Sequence, residues 1–170
     1  MNVADISVGI AEVSAAFAGF SGIIAALGNT SAWTEMELYR FQNLLGLSIG
    51  AVVLSLLPLL ISAYGANDTW VWRIACSSVA IFALGFLALR YPVAARLQKD
   101  NPTRYSRQTG LTFLVVLTGV SLLQLCGIFG LFSLGFAYYL TGLLAILFLA
   151  ALQFAVLALS RLTRNGQTHK

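Results

Sequence analysis

From Leu111 to Ser160 the sequence runs for 50 residues without an acid or a base. A soluble domain of this size cannot bury such a stretch, because small domains leave a large share of their surface in water. The stretch is too long for one membrane crossing and right for two, since a helix needs about 20 apolar residues to cross a hydrocarbon core ~30 Å thick. The rest of the chain agrees. Of its 170 residues 59% are hydrophobic and 9% charged, where globular proteins carry roughly 25% charged residues. That composition excludes a soluble enzyme and a disordered tail. Two cysteines are too few for a secreted disulfide scaffold.

Five stretches are long and apolar enough to span: residues 6–28, 41–64, 71–90, 111–133 and 137–160. They are continuously apolar rather than alternating, which excludes barrel strands. The expected fold is all-α: one domain, a polytopic bundle of about five transmembrane helices, with a basic loop at 91–110 and a short basic tail at 161–170. Two other readings of the first stretch fit less well. A signal peptide needs a basic start, whereas the first charge is Asp5 and Glu12 interrupts the apolar run. An interfacial helix would carry Lys or Arg on its polar face, and this stretch has neither. No internal repeat is visible, so an inverted-repeat transporter has no support.

Lys and Arg collect on the cytoplasmic side of membrane proteins. Nine of the ten bases fall on one side of this topology: Arg40, the run Arg90, Arg96, Lys99, Arg104 and Arg107, and the tail's Arg161, Arg164 and Lys170. Only Arg73 falls on the other. The prediction is N-terminus outside and C-terminus cytoplasmic. The compact chain, without a targeting extension, points to a bacterial inner membrane. Trp70, Trp72, Tyr138 and Tyr139 then form an outer aromatic belt, and Trp33 and Tyr39 lie on the inner side. Arg96, Lys99, Arg104 and Arg107 are expected to contact anionic lipid. Nucleic acid is the weaker alternative, because Tyr91 and Tyr105 among these bases make no recognition module.

Local signals place the helix ends. Thr34 and Glu37 have the spacing of a capping box, with Trp33 stapling against Leu38, so the second helix should begin near Glu35. Asn67-Asp68-Thr69 supplies a cap for the third. Tyr91-Pro92 should end the third helix, because the residue before proline resists the α region. Val93–Lys99 would then form a separate surface helix, and Asn101-Pro102 a turn. A further turn is expected at Ser133–Gly135.

Glu12 is the most informative side chain, since a carboxyl inside the bilayer is costly and marks a functional hypothesis. On a helical wheel Ile6, Ile10, Val13, Phe17, Phe20, Ile24 and Leu27 form a bulky stripe, while Glu12, Ala15, Ala16, Gly19, Gly22 and Ala26 share a small-residue face. That face is expected to pack against protein, with Arg73 of the same leaflet as the partner of Glu12. A protonated, hydrogen-bonded Glu12 and a proton or cation site are the alternatives. Cys76, Ser77, Gln124, Cys126 and Thr141, with a carbonyl freed by Pro58, make an outer polar layer. Asn43 and Gln153 lie deeper toward the other side. Gly46 and Gly50 form a GxxxG that packs the second helix within the chain or between copies. No metal, cofactor or catalytic set is expected: His169 is the lone His, and Glu12 is the lone acid within a span. The expected function is that of a structural or accessory subunit of a homo- or hetero-oligomeric assembly in membrane lipid. The alternatives are a small oligomeric channel or transporter using Glu12 and the outer layer, and a membrane enzyme acting on lipid.

Overall fold

The computed structural model describes residues 3–27, 33–100, 107–130 and 135–165. It is a bundle of five helices: α1 Val3–Leu27, α2 Glu35–Ala63, α3 Asp68–Asp100, α4 Arg107–Ile128 and α5 Gly135–Asn165. All five are long and apolar enough to cross a membrane. The chain is therefore an all-α, multi-pass integral membrane protein. The expected turn at Asn101-Pro102, most of that at Ser133–Gly135, and Arg104 and His169 lie outside the described residues.

The caps fall where the sequence puts them. The Glu37 amide donates to Thr34 Oγ1 at 3.3 Å and the Thr34 amide to Glu37 Oε2 at 2.8 Å, so α2 begins at Glu35 with two of its free amides satisfied. Trp33 packs edge-on against Phe41, with ring centroids 5.1 Å apart, and Leu38, the expected staple partner, is exposed. The Trp70 amide donates to Asn67 Oδ1 at 3.0 Å and opens α3. Gly65, at φ 78°, closes α2 in the left-handed conformation that costs glycine least.

One boundary differs. α3 does not stop at Pro92 but continues to Asp100. A proline removes one backbone hydrogen bond, a loss that long membrane helices tolerate. Ala94, Ala95, Arg96 and Leu97 beyond it are strong helix formers, and Leu97 is buried. Arg96 and Lys99 therefore ride on a helical extension of α3, not on a separate surface helix.

The helices pack in two groups that share α2 and α5. α1 rests on α2 and the edge of α5, while α3 and α4 pack together across from it. Leu44, Leu47, Ala51, Val79, Ala83, Leu117, Leu143, Ile146 and Leu149 fill the centre. Gly46 and Gly50 are used within the chain: the rings of Phe86 and Phe82 of α3 lie directly over them. A Cβ on Gly46 would come within 3.0 Å of the Phe86 ring.

The α1 face that packs is not the small-residue face. Ser7, Ile10, Ser14 and Ser21 are buried and Phe17 is half-buried, whereas Glu12, Ala15, Ala16, Gly19, Gly22 and Ala26 are exposed. Ser14 and Ser21 donate to the carbonyls of Ile10 and Phe17, each at 2.7 Å. Their hydroxyls are thus satisfied inside α1 and leave a small, apolar surface for the neighbouring helix.

Candidate functional site

Two levels calibrate depth. At one end Trp72 meets Tyr139, with centroids 6.0 Å apart. At the other, Arg90 Nη1 donates to Gln42 Oε1 at 2.9 Å. Trp72 and Arg90 are separated by about 27 Å of helix rise at ~1.5 Å per residue, close to the ~30 Å of a hydrocarbon core.

The residues expected in the outer polar layer do lie near the Trp72 end, where they knit helices together. Gln124 Nε2 donates to the Tyr138 carbonyl at 2.8 Å, and its amide fits against Gly142. The Cys76 thiol points at the Gly135 carbonyl, 3.7 Å away, and lies against Gly127. Ser77 and Thr141 donate to carbonyls of their own helices at 2.7 and 2.8 Å. Cys76 and Cys126 are free thiols. Tyr139 is not part of an aromatic belt: it is 1% exposed, and its hydroxyl donates to the Leu54 carbonyl. That carbonyl is the one that Pro58, four residues on, leaves without its helical donor. A hydroxyl from α5 thus mends the gap in α2.

Glu12 and Arg73 are not brought together. The rings of Phe17 and Phe20 meet Phe154 of α5 at 5.8 and 6.4 Å, and Phe154 lies about 22 Å of helix rise beyond Tyr139. Glu12, one to two turns before these phenylalanines, sits about 10–14 Å below the Trp72 level, near the middle of the bundle's height. Arg73 stays near the Trp72 level on α3, its guanidinium 5.8 Å from the Trp70 ring and beside an open groove lined by Ser77, Ser78, Ile128 and Phe129. Glu12 faces outward on α1. So do Asp5, Val8, Ala15, Gly19, Gly22 and Ala26, which with it alternate by three and four residues. This is the seam spacing of a left-handed helix pair. A Cβ on Gly19 or Gly22 would meet nothing within 4 Å. α1 thus has two seams, one used inside the chain and one open.

A third feature lies at the Arg90 end. A partly open cavity of about 40 Å³ lies between α2, α3, α4 and α5, large enough for a small polar group. Asn43 and Gln153, 1% and 2% exposed, line it together with apolar Phe113 and Leu117. Gln153 Oε1 has no hydrogen-bond partner, and the Asn43 amide makes only a loose contact with the Tyr39 side chain, short of full hydrogen-bonding geometry. Tyr39, Arg40, Arg90 and Tyr91 border the cavity, and the Tyr39 hydroxyl donates to the Arg90 carbonyl at 3.4 Å. Beyond it run Arg96 and Lys99 of α3, both exposed, and Arg107 opens α4.

Both features left traces in the sequence. The serines at 7, 14 and 21 mark the inner seam of α1 by their seven-residue spacing, and Asn43 and Gln153 are amides inside otherwise apolar runs. Periodicity alone does not say that these two amides meet at one cavity, since they lie on different helices. Comparison with protein-family models, curated proteins and solved structures found no match to this chain.

Proposed function

We propose that this protein is a non-catalytic structural or accessory subunit that assembles through the open seam of α1, with a second copy of the chain as the occupant. The observation that carries this is the position of Glu12: a carboxyl exposed on the outward face of a peripheral helix, near mid-membrane. Facing lipid there, it is costly in either protonation state, because hydrocarbon offers no hydrogen-bond partner. Gly19, Gly22, Ala15 and Ala26 on the same seam let another backbone come close. A two-fold axis along the membrane normal brings each residue to its own copy at its own depth. Glu12 then meets a second Glu12 at its own depth, so each carboxyl faces a polar group instead of hydrocarbon. The bases of α3 and of the tail would lie on the cytoplasmic side, in a bacterial inner membrane, with the N-terminus outside.

The test is oligomeric state by single-molecule counting in liposomes. Wild type should be dimeric. Gly19→Leu should shift the protein to monomer, and Glu12→Ala should weaken the dimer. Glu12→Gln, which keeps a donor and an acceptor, should retain it. A monomeric wild type overturns the proposal. A dimer indifferent to all three changes moves the contact away from α1. A complex formed only with a different membrane protein makes the chain an accessory subunit of that partner. Larger assemblies with a Glu12-dependent cation flux would favour the channel alternative.

A further inference from the structure

The cavity at the Arg90 end has a chemistry that neither helix packing nor the seam of α1 uses. We infer that it binds an anionic glycerophospholipid, with the phosphate on Arg90 and Arg40 at the rim and an ester carbonyl of the glycerol backbone on the amides of Asn43 and Gln153.

Two amides, both at least 98% buried, border one void; Gln153 Oε1 has no hydrogen-bond partner there, and Asn43 has only a loose contact with the Tyr39 side chain. A buried polar group left unpaired is costly, so such a void selects an occupant able to bond to it. The deep end carries no charge, and burying an ion against neutral amides is unfavourable. The deep group is therefore neutral. Either amide, turned by half a rotation, presents its N–H pair instead of its oxygen, so the two together offer donors to an acceptor.

The rim is cationic. Arg90 commits one N–H to Gln42 Oε1, and a guanidinium has five, leaving a fork for two phosphate oxygens. Arg40 stands on the same rim. The order of these groups along the membrane normal selects the ligand. Arg90 marks one edge of the apolar slab, where lipid phosphates lie. Gln153 is about 6 Å inside that edge by helix rise. A glycerophospholipid has the same order, with the phosphate outermost and the ester carbonyls one glycerol unit deeper. Exposed Leu114 and Tyr91 border the opening and leave room for acyl chains to pass into the bilayer.

The experiment measures lipid retention by native mass spectrometry and the shift in melting temperature of delipidated protein on adding lipid. The probes are diacyl phosphatidylglycerol, diacyl phosphatidylcholine, a dialkyl-ether phosphatidylglycerol without ester carbonyls, and glycerol 3-phosphate without tails. Wild type should prefer the anionic diacyl lipid over the zwitterionic one by about tenfold, the scale of a charge-assisted hydrogen bond. Arg90→Gln should reduce that preference, Arg90→Lys should fall between, and the double change Arg90→Gln, Arg40→Gln should bring the two lipids to parity. The ether lipid should bind roughly threefold to tenfold more weakly than its ester counterpart. In the double variant Asn43→Leu, Gln153→Leu, whose leucines fill the void, ester and ether should bind alike while the phosphate preference persists.

Equal binding of ester and ether lipid by wild type would leave the amides to water and overturn the carbonyl assignment. An anionic preference that survives the double change Arg90→Gln, Arg40→Gln would remove the phosphate from this rim. Full stabilisation by glycerol 3-phosphate alone would make the occupant a soluble phosphate ester rather than a lipid.

Discussion

Gln124 and Gln153 are the same side chain at nearly the same burial, 0% and 2% exposed, at opposite ends of one bundle. Gln124 donates 2.8 Å to the Tyr138 carbonyl and fits a notch that Gly142 leaves open. Gln153 borders a void with Asn43, and its Oε1 makes no hydrogen bond. At the Trp72 end donors find carbonyls or glycine notches: Gln124 Nε2 meets the Tyr138 carbonyl beside Gly142, Cys76 meets Gly127, and Tyr139 meets the carbonyl that Pro58 frees, while Gln124 Oε1 and Arg73 Nε stay unpartnered. At the Arg90 end Arg90 is bonded to Gln42 and Tyr39 to the Arg90 carbonyl, but Asn43 and Gln153 make no bond like that of Gln124 to the Tyr138 carbonyl. Within a membrane a polar group with a made bond acts as a staple between helices. An unmatched one is a place for something to bind.

The contrast breaks most violently at Gly142. A larger side chain there meets both the Gln124 amide and Val79. Gly142→Leu should therefore overpack the α3–α4–α5 contact and also displace the Gln124 bond, for a loss of about 3–4 kcal/mol. Unfolding in a fixed detergent measures it. A loss below about 1 kcal/mol would mean that the notch is loose and that Gln124 is no staple.

The next effect concerns Tyr139. Tyr139→Phe leaves the Leu54 carbonyl buried and unpaired, which should cost about 1–3 kcal/mol. Pro58→Ala supplies the missing amide within α2. In that background Tyr139→Phe should be milder by at least about 1 kcal/mol, since the carbonyl then has its own helical donor. Strictly additive losses would show that the hydroxyl and the proline act independently.

How much of this was open to a reader of the sequence follows from which interactions are local. The five helices, the Thr34–Glu37 box and the Asn67 cap depend on residues within a few positions of one another, and all but the Pro92 end of α3 are where the pattern places them. Pro58's vacant carbonyl was legible too, but its donor was not, because Tyr139 lies 85 positions away on another helix. A tyrosine near a span's end reads as belt until a distant gap claims it. Glu12 was legible as an anomaly and misplaced as a partner: hydropathy gives no relative depth, and α1 is set lower against α5 than an even alignment of spans implies. The wheel favoured its glycine face for packing because it gave no weight to serines that satisfy their own hydroxyls.

The smallest effect is the most direct comparison of the two ends. Leucine is close to glutamine in size, so Gln124→Leu and Gln153→Leu remove hydrogen bonding with little change in volume. Gln124→Leu loses a made bond and leaves the Tyr138 carbonyl with one partner fewer, a cost of about 1 kcal/mol. Gln153→Leu removes an amide oxygen that has no partner and places methyl groups beside the void. In delipidated protein it should be neutral or stabilising by up to about 1 kcal/mol, because an unpaired buried acceptor is a cost the folded state no longer carries. Restoring anionic lipid should reverse the sign of that difference for Gln153→Leu alone, since only this end has a ligand to lose. Equal losses at the two positions in lipid-free detergent would show that Gln153 is bonded without lipid, and the two ends would then differ only in which partner each amide has found.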